Sequence, residues 1–205
     1  MTQFASLFDL LNGKPVAAEE HGGAAAAQLI AQATLATVVF ASIYGIAAGS
    51  TDLALALGNA YKMPMVLLLS ALVAVPVGLL TWKLTGSRAR ISSLLVGMTA
   101  GNFAAALVLA ALAPLVALYY HTTGYLGGAQ ALAVGGLAFV VGMITVVRAV
   151  LSRAAVETGR WTVALPLLVL CTTQTLALVQ FIHVASPILP EVTVFDGGID
   201  AMVDR

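Results

Sequence analysis

Residues 59–78 read "NAYKMPMVLLLSALVAVPVG", and between Lys62 and Lys83 no charged residue occurs. Spanning a bilayer's hydrocarbon takes about 20 apolar residues as a helix, so this run is long enough to cross. A buried helix of a soluble protein avoids all three of Lys62, Pro64 and Pro76. In a membrane span their positions acquire meaning. A lysine at the end of a span extends its ammonium to the headgroups. A proline in the first turn lacks only an N–H that has no partner there. On this reading Pro64 lies in the first turn, and Pro76 kinks the helix further along.

The rest of the chain agrees with this class. Of its 205 residues, 60% are hydrophobic and 9% are charged, against roughly 25% charged in soluble domains. The mean hydropathy is +1.01. A soluble fold of this size needs a larger polar skin. Formal net charge is zero, and the one cysteine, Cys171, excludes an intrachain disulfide and a cysteine-based metal cluster. The first residues lack the basic, then apolar, pattern of a cleavable signal.

Five stretches satisfy the length rule, at about 25–49, 63–84, 92–120, 129–152 and 161–185. The expected fold is all-α, a polytopic membrane bundle, because an open sheet edge has no hydrogen-bond partner in lipid. Two short interfacial helices are expected beside the spans. Near 3–12, Phe4, Leu7, Phe8 and Leu11 fall at helical spacing before Gly13 and Pro15; they suit either the membrane surface or a neighbouring protein. Near 51–61, Leu53, Leu57 and Tyr61 form a second stripe, with Ser50 or Thr51 as its cap. The chain then divides into an amphipathic segment 1–23, a five-span domain 24–186 and an acidic tail 187–205.

Basic residues set the direction. Lys83, Arg88 and Arg90 surround the second loop and Arg148, Arg153 and Arg160 the fourth, whereas the third loop, "HTTGYLGG", has none. Both basic loops fall on one side of a five-span chain. That side is expected to be cytoplasmic, with the N-terminus and Lys14. The tail, with Glu191, Asp196, Asp200 and Asp204, is expected outside.

The pattern Tyr44-Gly45…Gly49-Ser50, an amphipathic stretch, then Lys62-x-Pro64, a leucine run and Pro76 resembles a widespread family of small bacterial polytopic membrane proteins. That family reads YG-x-x-x-GS and then K-V-P-L-L-F-L-L-T with a second proline. It also carries a glutamine, an Arg-Pro-Phe and a Ser-Pro pair near its end. This chain has Gln174, then "QFIHVASP", keeping Ser186-Pro187 and lacking the Arg-Pro. Gln180 or His183 stands in that place. The resemblance implies the inner membrane of a bacterium and names no mechanism. The five-span layout is also similar to that of the Yip family of membrane-trafficking proteins, as a fold-level analogy only.

Threading collects polar groups toward the outer half: Tyr44, Ser50, Lys62, Gln174, Gln180 and His183. Intramembrane polar residues face the bundle or a wet cavity, so the expectation is an outward-facing polar groove. The bland alternative is that Lys62 and His183 anchor at the interface and the amides join helices. Gly45-x-x-x-Gly49 and Gly97-x-x-x-Gly101 permit close helix packing, within the chain or between protomers, and Ala131-x-x-x-Gly135 is a weaker example.

Several chemistries lack their residues. No span carries an aspartate or glutamate, and no H-E-x-x-H occurs, against intramembrane proteolysis and proton-coupled transport. No phosphate loop or nucleic-acid patch is present. No cofactor is expected, a haem between His121 and His183 being the remaining option. The expected function is a non-enzymatic membrane subunit that binds lipid or partner helices, within a larger complex or a homo-oligomer. The alternative is a small oligomeric channel or permease.

Overall fold

A computed structural model of the chain describes residues 2–11, 23–87, 90–123, 127–154 and 160–190. Among them are six helices: α1 (Thr2–Leu11), α2 (Gly23–Ala48), α3 (Leu53–Leu84), α4 (Ile91–Thr122), α5 (Gly127–Ala154) and α6 (Arg160–Ala185). The fold is all-α, and five of these helices are long and apolar enough to cross a membrane. Lys14, Arg88 and the acidic tail beyond Pro190 lie outside the described residues.

The five long helices form an arc. In order of adjacency they run α5, α4, α2, α3, α6, and each successive pair packs extensively. The ends of the arc, α5 and α6, touch only lightly. Small residues set the closest approaches. A side chain on Gly45 would collide with the backbone of Asn59, and one on Gly49 with Ala56 N at 2.6 Å. On α4, a Cβ at Gly97 would meet Val150, and one at Gly101 would meet Val146 and the Gly142 carbonyl. Both GxxxG pairs are therefore spent inside the chain, on α2–α3 and α4–α5.

The second span differs from its sequence-based expectation. Residues 51–61 do not form a separate interfacial helix; α3 runs unbroken for 32 residues from Leu53 to Leu84, with Pro64 and Pro76 inside it. Its cap is Asp52, whose Oδ1 accepts from Ala54 N at 2.8 Å, rather than Ser50 or Thr51. Pro64 is thus in the helix interior, where it strips the Ala60 carbonyl of its usual donor. Ser42 on α2 reaches the gap, its Oγ lying 2.6 Å from Ala60 O and 2.8 Å from Val38 O of its own helix, so its one hydrogen is shared between the two carbonyls. This is how a membrane helix absorbs a proline: a neighbouring hydroxyl satisfies the freed carbonyl. The stripe of Leu53, Leu57 and Tyr61 remains on the outer face of α3, exposed.

The N-terminal helix is also corrected. α1 does not lie free at the surface; Leu7 and Leu10 are buried with Leu29, Ala33, Val96, Ala100, Phe103 and Ala149. Its apolar face finds a partner within its own chain, which neither sequence-based alternative anticipated. Phe8 stays exposed.

Two further clusters divide the bundle along its length. One joins Tyr44, Leu67, Leu109, Val116 and Val134. The other joins Trp82, Leu94, Met98, Val150, Val163 and Leu170 at the opposite end. Most polar side chains in the spans bond to their own helix: Thr37 donates to Ala33 O at 2.8 Å, Ser70 to Leu67 O at 2.8 Å and Thr175 to Cys171 O at 2.7 Å. Such hydroxyls are satisfied locally and build no site.

Candidate functional site

Where α5 and α6 fail to close the arc, a cavity of about 300 Å³ remains. Its origin is side-chain size. Gly135 and Gly136 on α5 present no side chain; a Cβ at Gly135 would meet only Tyr44 Oη, at 3.9 Å, and one at Gly136 nothing within 4 Å. Leu132 and Phe139 on α5, Leu178, Val179 and Ile182 on α6, and Met63 and Leu109 from the back supply apolar walls. The hydroxyls of Tyr44 and Thr175 also belong to residues of the wall.

Tyr44 fixes one side. It is 3% exposed, and its hydroxyl donates to Ala131 O at 2.7 Å. That bond ties the end of α2 to the first turns of α5 across a gap that side-chain packing leaves open. A buried phenol hydroxyl needs such a partner.

The cavity's end is crossed by the turn that follows α6. Lys62 Nζ donates to Pro187 O at 2.9 Å, and Asn59 Nδ2 donates to Ile188 O. Asn59 and Lys62 are three residues apart, hence neighbours on one face of α3. Together they hold Ser186–Leu189 over the bundle, with Ile188 buried and Leu189 on the cavity wall. The Ser186–Pro187 peptide is cis. Residues 187–189, at the start of the expected tail, therefore pack against the bundle. Lys62 thus does more than reach headgroups, since it latches two distant parts of the chain.

Deeper in the bundle, between the two apolar clusters, Gln174 Nε2 donates to Asn102 Oδ1 at 3.0 Å. Both residues are buried, at 5% and 7% exposure. Gln174 Oε1 has no hydrogen-bond partner among the described residues. A small chamber of about 10 Å³ touches both amides, and it shares Leu67, Ala105, Phe139 and Leu178 with the large cavity.

The predicted site residues therefore separate. Tyr44 enters the cavity, Lys62 and Ser186-Pro187 form its strap, and Gln174 lines the small chamber beside it. Gln180 and His183 are exposed along α6 and are not brought to the site. Ser50, half-buried in the turn after α2, has an Oγ without a partner and stands apart from the cavity wall. His121 is exposed at the end of α4. Among the described residues no three His, Cys, Asp or Glu side chains gather as metal ligands. The space is mostly apolar, with Tyr44 and Thr175 in its wall and the two amides in the chamber beside it. The amides are turned toward each other, as polar side chains within spans commonly are.

Asn59 and Asn102 escaped the sequence reading. Each carried a signal: Asn59 lies one turn before Lys62, and Asn102 is an amide in the middle of a span, where polar residues are costly and usually have a purpose. No family model, curated protein or solved structure matches this chain.

Proposed function

We propose that the chain is a multi-pass membrane protein that admits an apolar molecule from the bilayer into the cavity between α5 and α6. The observation that carries this is the coincidence of the cavity with the two ends of the arc, α5 and α6, which touch only lightly. A cavity of about 300 Å³ is at the small end of ligand sites. Its walls suit a flexible hydrocarbon chain, for which burial exchanges one apolar environment for another at little desolvation cost. A partner helix about 10 Å across is a poor fit, because the Ser186–Leu189 strap covers the end of the space.

The positive-inside rule, applied to the basic loops, supports a reading in which the strap and Tyr44 face the extracytoplasmic side. Chain ligands would then be taken up at outer-leaflet depth. The bacterial inner membrane, and any membership of a larger complex, rest on the sequence resemblance and on composition.

Gly135→Phe tests the reading. The substitution projects a ring into the space next to Tyr44, and the added Cβ clashes with nothing. Native mass spectrometry of protein extracted in mild detergent is expected to show a lipid-sized adduct on the wild type and none on Gly135→Phe. An equal adduct on both, or none on either, would remove the proposal.

A further inference from the structure

From the amide pair in the small chamber that adjoins the cavity we infer a specificity: the ligand is a neutral chain molecule with a terminal hydroxyl, an aliphatic or isoprenoid alcohol. This rests on the cavity reading above and narrows it. Gln174 is 95% buried, since it is 5% exposed, and its Oε1 has no partner among the described residues. In hydrocarbon an unpaired amide oxygen is expensive. The chamber beside it, at about 10 Å³, has room for about one water-sized group. A hydroxyl is such a group.

The chemistry of the two amides selects the hydroxyl over its rivals. Gln174 has already committed its Nε2 to Asn102 Oδ1. What it leaves toward the chamber is an acceptor, and Asn102 contributes an amide nitrogen, a donor. An alcohol both donates and accepts, so it answers both. An ether or ketone only accepts and leaves Oε1 unpaired. An alkane leaves both amides as they are. A phospholipid headgroup or an ionised carboxylate would bring an unpaired charge among Leu67, Phe139, Met143 and Leu178, which line the chamber, and that burial is far costlier than the bond it gains.

The geometry gives the chain a place too. The chamber adjoins the cavity, with Leu67, Ala105, Phe139 and Leu178 lining both, and a small movement of these side chains joins the two spaces. A hydroxyl held by Gln174 and Asn102 therefore leaves its hydrocarbon in the apolar space toward Tyr44 and the α5–α6 gap.

The test compares 1-dodecanol, dodecyl methyl ether and dodecane on the full-length protein in nanodiscs, each at equal mole fraction in the bilayer. Occupancy is the fraction of protein carrying the adduct in native mass spectra across a titration. On the wild type, dodecanol is expected to bind roughly three- to tenfold tighter than the ether, one hydrogen bond's worth, because only the alcohol donates to Gln174 Oε1, with dodecane weakest. The double change Gln174→Met with Asn102→Leu, which removes both amides together and leaves no orphaned partner, is expected to bind all three alike. If the ether matches the alcohol on the wild type, or the double variant keeps the preference, the specificity is wrong. The ether comparison needs no variant and stands even if the double variant does not fold. Equal binding of all three to the wild type would overturn the specificity and leave the cavity reading intact, whereas binding of none would overturn both.

Discussion

Single atoms decide the unusual features of this bundle. Pro64 removes one N–H and Ser42 supplies one O–H, so the two residues function as a pair although 22 positions separate them. Ser42→Ala alone is expected to destabilise the protein by about 1 kcal/mol, the usual effect of leaving a buried carbonyl unpaired. In a Pro64→Ala background the helix restores its own bond, and the same change should cost a few tenths at most. Unfolding in graded SDS measures both. Equal effects in the two backgrounds would separate Ser42 from the proline. This pairing was not legible in the sequence. Pro64 near a lysine reads naturally as a helix start, and nothing local indicates that a serine on the preceding helix makes an interior proline tolerable. Lys62 was legible as unusual, but its partner, the Pro187 carbonyl at 2.9 Å, depends on how α3 and α6 are brought together. Gln180 and His183 were equally conspicuous as polar residues of the last span, and they lie exposed along α6, away from the cavity wall.

At the scale of elements, glycine placement separates contact from vacancy. Gly101 lies against Val146 and the Gly142 carbonyl, whereas Gly136 has nothing near the site of a Cβ. Gly101→Leu is therefore expected to push α4 from α5 and cost about 1–3 kcal/mol. Gly136→Ala is expected to be neutral or to stabilise by up to about 1 kcal/mol, through helix propensity alone. Thermal unfolding in detergent distinguishes them, and comparable losses from both would mean that α5 packs on its cavity side as well. Span number and extent were readable because hydropathy is a property of each segment taken alone. The first and the last three spans were located within a few residues, and only the second was cut short, at its polar turn. Helix adjacency was not readable, because GxxxG gives the closeness of a contact without naming its partner. The buried seat of α1 was hidden likewise, since Leu7 and Leu10 can face headgroups as easily as Phe103.

For the whole molecule, the arrangement amounts to an arc held closed at three points. Tyr44 joins α2 to α5, the Lys62–Asn59 pair joins α3 to the turn after α6, and the amides join α4 to α6. Two of these links, Tyr44 to α5 and Gln174 to Asn102, join helices that are not neighbours in the arc, so the gap between α5 and α6 is bounded without being filled. The orientation proposed from the basic residues is open to direct test. With Cys171 replaced by alanine, a cysteine at Thr123 is expected to react with a membrane-impermeant maleimide in intact cells. One at Ser87 is expected to react only after permeabilisation. The reverse pattern would place the cavity's strap on the cytoplasmic side.

The lateral cavity itself is tested most directly by photolabelling. A fatty alcohol with a diazirine on its chain, incorporated into membranes containing the protein, should mark Phe139, Leu178 and Val179 above the lipid-facing Leu72, Leu80 and Val140. Gly135→Phe should abolish that excess. Labelling spread evenly over the exposed surfaces of the helices, and unchanged by Gly135→Phe, would mean that the space between α5 and α6 takes no ligand from the bilayer.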